Sequence, residues 1–234
     1  FTLPMIEILV AGRARARMPR SLILEPTREL AAQVAENFST YGKNHKLTMA
    51  LLIGGVSFVE QNEKLDRGVD VLIATPGRLL DQFERGRILL ADIKLLVVDE
   101  ADRMLDMGFI PDIEKIMNLL PYIRQTAMFS ATMPTEVQRL ADSYMVNPIK
   151  IEVAPQNIAP ETVTQKLYVI DGGKIEKQDT LLHLIKKENV KNAIVFCNRK
   201  RDVRTVDRAL RNNGLNAQAL HGDLPQSVRT GTLE

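Results

Sequence analysis

Short apolar runs alternate with segments of helical period along this whole sequence, and that alternation is what most narrows the fold. It is the pattern of β-α-β units, in which strands of a mostly parallel sheet are buried on both faces beneath crossover helices. Candidate strands are Ser21 to Leu24, Thr48 to Ile53, Val69 to Ala74, Ile93 to Val98 and Thr126 to Phe129. The clearest helix starts with Thr27 as N-cap, places Leu30, Val34, Phe38 and Tyr41 on one face, and ends at Gly42.

The pattern lapses from Asn147 to Gln165, where Pro148, Pro155 and Pro160 punctuate a stretch without helical period. A length of 234 residues suits two modest α/β domains or one large one, and the lapse places the expected division at a first domain 1–152, a linker 153–164 and a second domain 165–234. After the linker the alternation resumes. It predicts strands at Leu167 to Ile170, Ala193 to Phe196 and Ala217 to Leu220, with helices near Lys177 to Lys187 and Arg201 to Arg211.

Charge is nearly balanced, 31 Lys and Arg against 29 Asp and Glu, so binding to nucleic acid would need a local arrangement of charge. A single cysteine, Cys197, excludes an internal disulfide framework or a cysteine zinc cluster and reads as a small buried or half-buried filler. Phe1 to Val10 contains Pro4 and Glu7 and precedes its Arg-rich segment, which is the wrong order for a signal peptide. No window approaches 18 apolar residues, and a reducing, cytoplasmic setting is expected. The start on Phe1 and the stop at Glu234 suggest a piece of a longer chain.

In an open parallel sheet ligands sit beyond the carboxyl ends of the strands, so the residues there carry the functional reading. In order they are Pro26-Thr27-Arg28-Glu29-Leu30, Gly54-Gly55, Thr75-Pro76-Gly77-Arg78, Asp99-Glu100-Ala101-Asp102 and Ser130-Ala131-Thr132. Asp99 and Glu100 suit metal-assisted phosphoryl transfer, one carboxylate holding Mg²⁺ and the other orienting a water; acidic residues that merely favour a helix N-terminus are the structural alternative. The Thr-Arg pairs and the double glycine suit a grip on polynucleotide phosphates, or equally a pair of N-caps and a tight turn. Arg13, Arg15, Arg17 and Arg20 read as a solvated basic loop, and His183 as a structural imidazole on the core side of its helix.

Val98-Asp99-Glu100-Ala101-Asp102 resembles the name-giving motif of the DEAD-box ATP-dependent RNA helicases, and the other strand-end elements stand beside it in that family's order. In the second half Ile194-Val195-Phe196 resembles the family's fourth motif, and Gln226 with Arg229 resembles its Gln-x-x-Arg element after His221-Gly222-Asp223. Asp99 to Gly108 with Phe109 is similar to the bacterial branch. The resemblance implies a RecA-like parallel-sheet domain followed by an incomplete second RecA-like domain, with ATP and Mg²⁺ as cofactors and RNA as partner. It implies that Asp99 binds Mg²⁺ through water, that Glu100 positions the hydrolytic water, and that Asp102, Ser130 and Thr132 couple nucleotide state to RNA. Thr27, Arg28, Gly54, Gly55, Thr75 and Arg78 would hold the RNA backbone, with Gly222 and Arg229 as counterparts in the second domain. ATP hydrolysis would drive local separation of short duplexes, with contacts to backbone and 2′-hydroxyls and little base preference.

The family's glutamine motif and its Gly-x-x-x-x-Gly-Lys-Thr phosphate loop are absent: Gly42-Lys43-Asn44 and Gly173-Lys174-Ile175 lack the required Ser/Thr and glycine spacing. The later motifs of the second domain, with their arginine finger, are absent as well. The chain alone is therefore expected to be a poor ATPase. An ATP-independent RNA-binding or partner-binding module is the alternative from another class.

Overall fold

The computed structural model describes residues 1–12, 18–153 and 163–233. In chain order these form α1 (Thr2–Val10), β1 (Ser21–Leu24), α2 (Arg28–Tyr41), β2 (Met49–Leu52), α3 (Phe58–Arg67), β3 (Val71–Ala74) and α4 (Pro76–Glu84). There follow β4 (Leu95–Val98), α5 (Ala101–Asp106), α6 (Ile110–Leu119), β5 (Gln125–Met128), α7 (Thr135–Tyr144), α8 (Lys174–Lys187), α9 (Lys200–Asn212) and α10 (Gln226–Leu233). The chain divides into two units, Phe1–Gln156 and Asn157–Glu234. Residues 154–162 of the expected linker lie outside the described residues.

In the first unit the strands form one sheet, ordered β2-β3-β1-β4-β5, with every neighbouring pair parallel. β1, β3 and β4 are buried at every position, as strands covered on both faces must be. Side chains alternate between the faces. Leu22, Leu24, Leu72, Leu96 and Val98 meet Leu79, Ile113, Ile116 and Leu140 on one side. Ile23, Ile73 and Val97 meet Met5, Ile6, Leu9, Ala31, Ala35 and Phe38 on the other.

The expected strands are present in this unit: β1 has the expected ends, β2, β3 and β4 are shorter by one or two residues at an end, and β5 lies one residue earlier than expected at both ends. The buried face of α2 differs from expectation: Ala31, Ala35 and Phe38 point inward, Leu30 and Val34 are half-buried, and Tyr41 is exposed. Small alanines let the helix axis approach the sheet, and the bulkier residues fall to the flank. Phe1 to Val10, read only as a rejected signal, opens the core instead, with Met5, Ile6 and Leu9 buried at helical spacing. Arg20 also corrects the reading of a solvated basic loop. It is buried, pairs with Asp70 at 2.6 Å and donates to the Leu9 carbonyl at 2.8 Å. Arg13, Arg15 and Arg17 lie outside the described residues.

The second unit contains α8, α9 and α10, and among its described residues no strand. The three predicted runs stay unpaired, because an apolar run becomes a strand only where a neighbouring backbone supplies matching N–H and C=O groups. His183 points outward, while Leu181, Leu182, Leu184 and Ile185 of α8 are half-buried. Cys197 is a half-buried free thiol.

Candidate functional site

Because all five strands are parallel and end in register, with Leu24 beside Ala74 and Val98, and Val98 beside Met128, their following loops share one edge of the sheet. The edge therefore gathers Thr27, Arg28, Gly54, Gly55, Thr75, Arg78, Asp99, Glu100, Asp102, Ser130 and Thr132 from five separate stretches of sequence.

Asp99 continues β4, its N–H donating to the Leu24 carbonyl at 3.1 Å, and its Oδ1 accepts from the Glu100 N–H at 3.0 Å. Burial pushes the Asp99 carboxyl up from its ordinary value. Glu100 adopts a left-handed backbone, φ 53° and ψ 48°, at the N-cap of α5 without capping it through its side chain. A non-glycine residue held there is strained, and its carboxylate is not occupied by the helix end. A cleft of about 540 Å³ lies against both carboxylates, lined further by Phe129, Ser130, Thr132 and Lys150.

A third carboxyl escaped the sequence reading. Glu25 follows β1, is fully buried, and neither of its carboxyl oxygens meets a hydrogen-bond partner among the described residues. Burial, reinforced by the charges of Asp99 and Glu100, pushes its pKa from 4.5 to about 8, so at neutral pH it is mainly protonated.

Asp102 binds the fifth strand's loop to the fourth's. Its N–H donates to Ser130 Oγ at 3.0 Å, Ser130 Oγ donates to the Thr132 carbonyl at 2.6 Å, and Thr132 N and Oγ1 both donate to Asp102 Oδ2, at 2.8 and 2.7 Å. Burial works to raise the Asp102 pKa, but these bonds from Thr132 outweigh it and hold the carboxyl below its usual range. These bonds tie the loop after β4 to the loop after β5.

On the far side of the edge, Thr27 Oγ1 accepts from the Leu30 N–H at 3.3 Å, the N-cap bond expected of it. Thr75 stands at the N-cap of α4 without a side-chain cap bond. The Arg28 guanidinium lies against the double glycine. A Cβ on Gly55, whose φ is +79°, would fall 2.5 Å from Arg28 Nη1, and one on Gly54 would fall 3.0 Å from Nη2. Gln61, also unread in the sequence, anchors that turn by donating to the Ile53 carbonyl at 3.0 Å. Arg78 donates to the Val56 carbonyl at 3.2 Å.

In the second unit Gly222 is exposed within a loop tied to α9 by Lys200–Asp223 at 2.6 Å and by Arg204 donating to His221 Nε2 at 3.4 Å. Arg229 is half-buried on α10. Among the described residues no group of three or more His, Cys, Asp or Glu forms a metal cage, and no helix is long and apolar enough to cross a membrane.

Residues 1–140 match the family model for the DEAD/DEAH box helicase, and residues 176–234 match the helicase conserved C-terminal domain. An ATP-dependent RNA helicase RhlB of Pseudomonas aeruginosa is 42% identical over 92% of this chain and 55% of its own length. A DEAD-box ATP-dependent RNA helicase RhpA of Helicobacter pylori is 38% identical over 100% of this chain and 46% of its own. The chain thus spans about half the length of these curated relatives. The crystal structure of a DEAD box protein from Methanococcus jannaschii superposes with a TM-score of 0.62 at 36% identity, covering 100% of this chain and 61% of that one.

Proposed function

Because this chain belongs to the DEAD-box ATP-dependent RNA helicases, we propose that the sheet edge of its first unit grips an RNA backbone and that Asp99 and Glu100 serve ATP hydrolysis in the complete protein, in the cytoplasm. The observation that carries the reading is the convergence, on one edge, of two carboxylates beside a cleft and a separate set of hydroxyl, glycine and guanidinium groups.

The donor set suits Mg²⁺. That ion keeps several waters and takes one or two carboxylates together with substrate phosphates, and no larger acidic cage is present among the described residues. Asp99 would hold it through water; when bound, the ion neutralises charge developing on the phosphates. Glu100, free of any capping duty, orients and accepts a proton from the attacking water. Asp102, through Ser130 and Thr132, transmits a shift of the carboxylate loop to the loop after β5. Arg28 and Arg78, with Thr75 and the Gly54-Gly55 turn, meet phosphates rather than base edges, which makes binding sequence-independent. Gly222 and Arg229 are the proposed RNA contacts of the second unit. These 234 residues contain no Gly-x-x-x-x-Gly-Lys-[Ser/Thr] segment, so turnover is assigned to the complete protein and not to this chain by itself.

Glu100→Gln in the complete protein tests the chemistry. Loss of the base should lower RNA-stimulated ATP turnover by about 10²–10⁴-fold while ATP binding is kept. Unaltered turnover would return the edge to an RNA- or partner-binding module.

A further inference from the structure

Phe58 opens α3 just after the Gly54-Gly55 turn, and its ring lies against two guanidiniums. The Arg78 guanidinium carbon is 4.0 Å from the ring centroid and that of Arg85 is 4.1 Å. The two arginines stand two turns apart along one face of α4 and its C-cap. Their head groups can be no farther apart than the sum of those two distances, close enough to address neighbouring phosphates of one strand. Arg78 is half-buried and fixed by the Val56 carbonyl. Arg85 is exposed and has no carboxylate within ion-pair distance among the described residues.

The arrangement differs from that of Arg20, whose buried guanidinium meets Asp70 at 2.6 Å. Here Arg28 and Arg85 both act on Arg78 as like charges, and Asp81 alone among its influential neighbours opposes them. Stacking on an aromatic face holds a guanidinium while leaving its N–H groups to bond in plane with an anion. A cluster of cations held by carbon instead of by carboxylate is relieved by a polyanion.

We propose that Arg85 is a further phosphate-binding residue of the RNA path, and that Phe58 is the positioning residue that sets Arg78 and Arg85 at adjacent phosphates of one strand. The proposal rests on reading the first unit's edge as an RNA grip, and the experiment separates the two. Fluorescence anisotropy of a labelled single-stranded oligouridylate is followed across a salt series with this chain and with Arg78→Ala, Arg85→Ala, Phe58→Leu and Phe58→Trp; thermal melting of each variant reports folding.

Arg85→Ala should weaken binding about tenfold and flatten the log–log salt slope by about 0.7, one single-strand phosphate contact. Phe58→Leu should weaken it about threefold at an unchanged slope, because both charges remain but are no longer held, and Phe58→Trp should restore affinity. Arg78→Ala that loses affinity while Arg85→Ala keeps both affinity and slope would overturn the proposal and leave the RNA grip standing. Unchanged binding in Arg78→Ala and Arg85→Ala alike would overturn both. If Phe58→Leu lowers the melting temperature but not the affinity per folded molecule, Phe58 only pins α3 to α4 and its positioning role falls.

Discussion

In the first unit Ile23, Leu72 and Val98 are each 0% exposed, while in the second Leu167, Ile194 and Phe196 show 91%, 82% and 91% of their surface. These residues lie in runs of similar apolar character, so the difference is one of neighbours. β1 has β3 on one side and β4 on the other, and helices cover both faces of the sheet. The described runs of the second unit have helices nearby but no paired backbone. Binding groups can be held closely only where the scaffold beneath them is packed, which is why the candidate site is built almost entirely on the first unit.

Two ion pairs of equal length give the largest expected effect and the sharpest contrast. Arg20–Asp70 and Lys200–Asp223 are both 2.6 Å, but the first has side chains 7% exposed and the second 62% and 55%. Asp70→Ala strands a buried guanidinium and should cost about 3–5 kcal/mol in a urea titration. Asp223→Ala should give no resolvable loss, since an exposed pair gains little over water. The Asp70 contribution also depends on acid. Burial works to raise its pKa, but bonds from Thr48 and Arg20 lower it below the ordinary value. Its stabilisation is thus complete above the usual carboxylate range and lost as pH falls through the lowered value. Equal losses from the two variants would break the contrast between the units.

Glu25 gives a pH effect of opposite sign. With its folded pKa raised to about 8 from 4.5, the folded state holds a proton that the unfolded state has released between those values. Stability should therefore fall as pH rises through that window, by up to ~1.4 kcal/mol per pH unit. Glu25→Gln removes the titration, and melts of the variant should lose that slope. A retained slope would show that Glu25 is not the group responsible.

A smaller effect divides the two threonines of the sheet edge. Thr27→Ala deletes a cap bond and should cost about 1 kcal/mol in thermal or urea unfolding. Thr75→Ala removes none and should stay within about 0.5 kcal/mol, so that any loss it causes appears in RNA affinity.

Much of the first unit could be read from the chain because strand-length apolar runs and the polar tetrapeptides after them are local signals. The carboxyl-end cluster followed directly: once the strands are parallel, Asp99, Arg28 and Gly55 must share an edge. What escaped depended on partners distant in sequence. Glu25 looks like an ordinary loop acid between Leu24 and Pro26, and only the folded sheet sets it beside Asp99 and Glu100. Arg20 reads as solvated because it closes a run of interspersed arginines with Arg13, Arg15 and Arg17, while Asp70 lies fifty residues away. Phe58 carried no motif, and its importance appears only when α3 and α4 pack. The strands expected in the second unit failed for the same reason in reverse, since a local pattern cannot guarantee a partner.

The proposal that the first unit's strand ends hold RNA by its backbone is tested most directly by binding of single-stranded RNA to this chain and to Arg28→Ala, across a salt series and with two homopolymers of different base. The substitution should weaken both homopolymers by about the same factor and flatten the salt slope by about one phosphate contact. Affinity per folded molecule and slope that are both unchanged in Arg28→Ala, or a loss confined to one base, would contradict it.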